Sequence, residues 1–195
     1  MRRIVMFNRV SVDGYFADAD GGLNWAVPDP ELDAEAGQGM PEMDAMLFGR
    51  VTYDLFESFW PTAGDEDPHA AGRRSPAIKT MAKFINEQKK LVFSRTRKQL
   101  PWQNSEPLGA FSPAKVEKLK QQPGKNIIVF GSGSIVSALC QHGLIDEYRF
   151  IVNPLLLGDG ESMIRGLPRS VPLELLDIKR YGSGNLALRY APKRG

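Results

Sequence analysis

The chain has a single cysteine, Cys140, among 195 residues. No intrachain disulfide can form, so stability must come from a packed core. The two histidines, His69 and His142, lie far apart in sequence and lack metal-ligand spacing, which argues against a histidine-based metal centre. No apolar run is long enough to span a bilayer, and the first residues enter a strand pattern instead of a signal peptide. A cytoplasmic protein is therefore expected. Net charge is only +2, which gives no electrostatic pull toward nucleic acid or membrane. The GxxxxGK[ST] phosphate loop is missing, as are internal repeats and low-complexity tracts.

What is present is a 42% hydrophobic chain of a length suited to one domain over 1–195. Its focal stretch is IIVFGSGSI, residues 127–135. The apolar run Ile127 to Phe130 suits a strand buried on both faces. Gly131, Ser132, Gly133 and Ser134 follow, and a helical pattern opens with Ile135, Val136, Ala138 and Leu139. A strand, a glycine turn and a helix start together offer unpaired amides at the positive end of a helix dipole, where a phosphate can bind. The same turn could simply connect the two elements with a serine N-cap. The dinucleotide fingerprint of the doubly wound fold is incomplete: Val136 stands at its third glycine, and Ile151 stands where its acidic ribose ligand belongs.

Elsewhere, 3–10 reads as a strand and Asp13-Gly14 as a bend. Asp29-Pro30 predicts an N-cap and the start of a short acidic helix over 29–37. Residues 44–49 predict a strand, and 51–60 a helix with Val51, Leu55, Phe56, Phe59 and Trp60 on one face. The polar, Gly/Pro-rich stretch 61–75 predicts a long exposed loop. Ser75-Pro76 opens another helix, 90–94 is a strand, and Ser112-Pro113 caps a charged helix. Residues 147–160 give a strand running into a glycine loop, and the end of the chain forms a β-hairpin around GSGN. The order predicts a mixed, mainly parallel α/β sheet with helices on both faces and a C-terminal hairpin.

Several segments together resemble one family. Ser11-Val12-Asp13-Gly14, Gly49-Arg50-Val51-Thr52-Tyr53, Ser94-Arg95 and Gly131-Ser132-Gly133-Ser134 resemble successive segments of dihydrofolate reductases. Asn153-Pro154-Leu155-Leu156-Leu157-Gly158-Asp159-Gly160 resembles a loop of the reductase domain of riboflavin biosynthesis. The chain is similar to that domain occurring alone, within the dihydrofolate reductase-like superfamily. The resemblance implies that fold, NADPH as hydride donor and a homodimer. It implies that Gly49, Arg50, Thr52, Ser94, Arg95, Gly131, Ser132, Gly133, Ser134 and Ile135 bind the cofactor. Chemistry agrees: Arg50 and Arg95 can fork onto phosphate oxygens, and Arg97 and Lys98 nearby favour a 2′-phosphate.

For proton handling the candidate acids are Asp13, Asp29, Glu31, Asp33, Asp159 and Glu161; Asp13, in a bend packed between apolar segments, is the best placed, and Glu161 follows the glycine loop. Asp13 could equally hydrogen-bond its own turn. Asp29 is read as a helix cap, Glu31 or Asp33 as the acid of the early helix, and Trp25 as either core or site. The expected substrate is a small heterocycle or a ribosylamino-pyrimidine. A pteridine reductase-like enzyme, or a nucleotide-binding module without turnover, remains the alternative. No basic cluster reserved for a substrate phosphate stands out in the early segments.

Overall fold

Strand β1 (Ile4–Ser11) lies inside the sheet and is buried along most of its length. A strand covered on both faces needs apolar side chains on both, which accounts for its unbroken IVMF start. The computed structural model describes residues 1–38, 40–63 and 76–193. After β1 come β2 (Tyr15–Ala17), α1 (Pro30–Gln38), a 3₁₀ turn at Met40–Glu42, β3 (Met43–Gly49) and α2 (Arg50–Phe59). Next are α3 (Pro76–Glu87), β4 (Lys89–Phe93), β5 (Ser105–Gly109), α4 (Pro113–Gln121), β6 (Asn126–Phe130) and α5 (Gly133–Gln141). The chain ends with β7 (Glu147–Asn153), β8 (Glu161–Ser162), β9 (Leu173–Arg180) and β10 (Leu186–Pro192).

Eight strands form one sheet in the order β5-β4-β3-β6-β1-β7-β10-β9. Pairings from β5 through β7 are parallel, and β10 runs antiparallel to β7 and β9. This is the expected mixed, mainly parallel sheet with a C-terminal hairpin. Successive side chains of a strand point to opposite faces. Ile4, Met6, Leu47 and Val129 pack under Val116 of α4 and Val136 and Leu139 of α5. Val5, Met46, Phe48 and Ile128 pack on the other face with Tyr53 of α2 and Ile85 of α3. Leu32 of α1 covers Ile151 and Tyr181. Cys140 is a buried core residue, its sulfur 3.2 Å from the Tyr148 hydroxyl.

Some expectations need correction. The core face of α2 is Tyr53, Phe56 and Trp60, whereas Val51 and Leu55 are exposed. Ser112 occupies the N-cap position of α4 but makes no side-chain cap bond. Of the expected loop at 61–75, residues 64–75 lie outside the described residues, His69 among them.

Three short strands were not anticipated: β2, β5 and β8. The first and last pair with each other as a two-stranded clasp. Gly160 makes that clasp possible. Its φ is +147°, and a Cβ there would stand 2.2 Å from the carbonyl oxygen of Ala17.

Candidate functional site

Parallel strands place their carboxyl ends along one edge of a sheet, and crevices form there. Here β4, β3 and β6 are neighbours, so Ser94, Gly49 and Gly131 emerge side by side. They open on a cleft of about 1470 Å³. That exceeds the roughly 300–1,000 Å³ of an ordinary small-molecule pocket, and leaves room for an extended ligand beside a second one. All ten residues expected to bind the cofactor line it: Gly49, Arg50, Thr52, Ser94, Arg95, Gly131, Ser132, Gly133, Ser134 and Ile135.

Two helix N-termini, those of α2 and α5, meet at this cleft and are cross-braced. The amide of Gly49 donates to Oγ of Ser132 at 2.9 Å, and the amide of Ser132 donates to Oγ1 of Thr52 at 2.9 Å. Ser132 therefore does not cap its own helix, although it sits at the N-cap with φ 58° and ψ 58°. The turn is tight enough to demand glycine at Gly131, where φ is +52° and a Cβ would lie 3.1 Å from Cγ2 of Thr52.

These contacts revise the picture of an unpaired turn. The Gly131 amide donates to Oδ1 of Asn8 at 2.6 Å, so it and the Ser132 amide are both satisfied internally. Among the described residues, the amides of Gly133 and Ser134 have no such acceptor and remain for a ligand. The Thr52 hydroxyl still has its own proton to donate. Asn8 is a site residue the sequence did not reveal. It sits within an apolar strand, and only the pairing of Phe7 with Phe130 brings it beside Gly131.

The basic residues fall into different situations. Arg97 is tied to Asp54 and Glu57 of α2 and lies over the Tyr53 ring, so it braces the fold. Arg50 is half exposed and pairs with Asp54 at 3.0 Å. Arg95 and Lys98 pair with no carboxylate among the described residues. With Ser94 and Arg97 they line a side notch of about 300 Å³. Ser94 holds the intervening turn, its Oγ accepting from the amides of Arg97 at 2.8 Å and Thr96 at 3.2 Å.

The two candidate acids separate. Glu161 borders the cleft, where its carboxylate accepts from Arg165 at 2.6 Å. Asp13 does not line the cleft, and its side chain is exposed instead of packed between apolar segments. Its carboxylate accepts from the Ser11 hydroxyl at 2.5 Å and from the amides of Gly158 at 2.8 Å and Leu157 at 3.2 Å. The Ser11 bond first, then the Gly158 amide, hold its carboxyl below the usual range. It ties the bend before β2 to the loop before β8 and is poorly placed to give up a proton.

Part of the cleft wall is aromatic. Phe7, Phe56, Trp60 and Phe130 form its wall, with Trp25 half-buried nearby, so Trp25 belongs to the cleft and not to the core. Of the early acids only Asp33 reaches it, and there it pairs with Arg9 at 2.6 Å. Asp29 caps α1 through the Leu32 amide at 3.0 Å, and Glu31 turns outward to Lys179.

Known proteins share this architecture. A Shewanella sp. PV-4 protein named for riboflavin biosynthesis superimposes with a TM-score of 0.76 at 23% identity, over 98% of this chain and 99% of its own. Dihydrofolate reductase from Enterococcus faecalis, solved with NADP(H), superimposes with a TM-score of 0.64 at 10% identity, over 98% and 97%. The fold is therefore dihydrofolate reductase-like. In sequence, the uncharacterized protein YyaP of Bacillus subtilis is 28% identical over 193 residues, 97% of this chain and 94% of its own length. The profile of the RibD C-terminal domain matches residues 2–187, and the chain belongs to that family.

Proposed function

We propose that the protein is an NADPH-dependent reductase of a small heterocyclic substrate. The observation that carries this reading is the convergence of three adjacent strand ends and two helix N-termini on one cleft. The residues fit a dinucleotide. Gly131 leaves open the space a side chain would fill, the amides of Gly133 and Ser134 can meet the diphosphate, and Arg50 can add charge. Arg95 and Lys98, beside their notch, suit a 2′-phosphate, which favours NADPH over NADH.

Bound NADPH would supply a hydride to an unsaturated carbon of the substrate. The protein's task is to position the two partners and exclude water, and the apolar wall of Phe7, Phe56 and Phe130 does both. Glu161, oriented by Arg165, is the acid we assign to contact with ligand hydroxyls or protons. The reading includes a homodimer. Leu175, Leu176 and Ile178 of the edge strand β9 are 50%, 46% and 57% exposed, apolar side chains on its two faces that a second copy could help cover.

Fluorescence titration with NADPH and NADH tests the reading directly. Saturable binding with preference for NADPH is expected. Absence of binding to either would overturn it. Sedimentation velocity tests the dimer separately.

A further inference from the structure

We infer that Asn8 is a positioning residue for the dinucleotide: its carboxamide sets the turn after β6 so that the amides of Gly133 and Ser134 are presented to the diphosphate. The inference rests on the reductase reading and deepens it by naming what aims those donors. It starts from a misfit. Asn8 is 6% exposed and stands in the apolar strand β1, on the face that carries Ile4 and Met6. Burying a carboxamide is costly unless good partners meet it. Its Nδ2 finds only thioether sulfurs among the described residues, those of Met6 at 2.9 Å and Met163 at 3.4 Å. Sulfur is a weak acceptor, so a leucine would suit these neighbours better. The compensation lies on the other atom: Oδ1 accepts from the Gly131 amide at 2.6 Å.

That bond sits where the backbone most needs support. Gly131 has φ +52° and Ser132 φ 58°, two left-handed residues in succession, and the second carries a Cβ. Thr52 holds Ser132 from α2, a neighbouring helix start. Asn8 holds Gly131 from β1, a strand paired on both sides with β6 and β7. Asn8 therefore ties the turn to the interior of the sheet, which neither Thr52 nor Gly49 does. With the first two amides drawn inward, the next two open α5 without an acceptor among the described residues. Amides at a helix start lie along its axis, so the direction of the turn decides where they aim.

Hydrogen exchange and binding test this on the whole protein. Asn8→Leu keeps the volume and removes the acceptor. The Gly131 amide, followed by NMR without ligand, is expected to exchange about tenfold faster in that variant. Asn8→Asp keeps an oxygen at the same reach and is expected to retain the protection. In calorimetric titrations Asn8→Leu is expected to weaken NADPH by about tenfold and adenosine 2′-monophosphate, which has no diphosphate, by less than about twofold. Unchanged exchange at Gly131 in Asn8→Leu overturns the inference, as does fast exchange in a folded Asn8→Asp. Unchanged NADPH affinity also overturns it, and so does an equal loss for both ligands, the mark of a merely structural role. Absence of NADPH binding by the unaltered protein would instead strike the reductase reading, and the exchange rates would still decide whether Asn8 sets the turn.

Discussion

Thr52 and Ser132 hold the two helix starts of the cleft together: the amide of Ser132 donates to the hydroxyl oxygen of Thr52 at 2.9 Å. Valine at position 52 keeps the shape and removes the acceptor. A partly buried amide left without a partner costs about 1–3 kcal/mol. We expect Thr52→Val to lower the unfolding free energy by that order and to weaken NADPH in the same variant. Urea unfolding and a fluorescence titration on one preparation would check both effects. Unchanged stability would show that the brace contributes nothing.

Arg95 gives a second prediction. It lies at the cleft edge and pairs with no carboxylate among the described residues, unlike Arg97, which α2 already holds. A charged hydrogen bond to a 2′-phosphate is worth roughly 1.5–3 kcal/mol, or about ten- to a hundredfold in affinity. Arg95→Ala should therefore weaken NADPH by about that factor and leave NADH within about twofold. Equal losses for both dinucleotides would remove Arg95 from the 2′-phosphate site.

Much of the strand-end rim of the cleft was legible in the sequence, because tight glycine turns after apolar runs leave few alternatives. Gly49, Gly131 and the strand before each were identifiable from local pattern alone. The rest depended on pairing across long sequence distances. Asn8 meets Gly131 only because β1 and β6 are neighbours, and Arg9 meets Asp33 only because α1 folds back toward β1. The clasp strands β2 and β8 have three and two residues, too short for any periodicity to register. Val51 and Leu55 looked like core by helical spacing, yet they turn to the cleft because Tyr53 and Phe56 take the inward face.

Asp13 offers a third prediction. Its carboxylate is held low by the Ser11 hydroxyl and the Gly158 amide, so it is ionised well below neutral pH. Asp13→Asn should loosen the loop that precedes Glu161. It should raise KM for the substrate while leaving the pH profile of kcat where it was. A shifted or abolished limb in that profile would return Asp13 to the chemistry.

The fourth concerns acid stability. Glu147 is 1% exposed and faces Arg3, Arg149 and Arg189. Burial pushes its carboxyl up, but the hydrogen bonds from Arg189 and Arg149 outweigh burial and hold it below 4.5. The unfolded chain therefore binds this proton at higher pH than the folded one. The contribution to stability is full above the unfolded value and is lost as pH falls through the folded one. Glu147→Gln leaves three partly exposed arginines without their shared carboxylate and should cost about 1.5–3 kcal/mol at neutral pH. It should also flatten the fall in stability below about pH 5. Chemical denaturation at a series of pH values would show both, and an unaltered acid limb would locate the acid sensitivity elsewhere.

The reciprocal bonds between Gly49, Ser132 and Thr52 bear on how this scaffold can be re-engineered. Each turn uses a hydroxyl lent by the other, so a loop transplanted from a different protein would have to arrive together with its counterpart. Arg95 belongs to neither turn. On the reductase reading, changes at Arg95 and its neighbour Lys98 would therefore alter the preference for a 2′-phosphate while leaving this brace untouched.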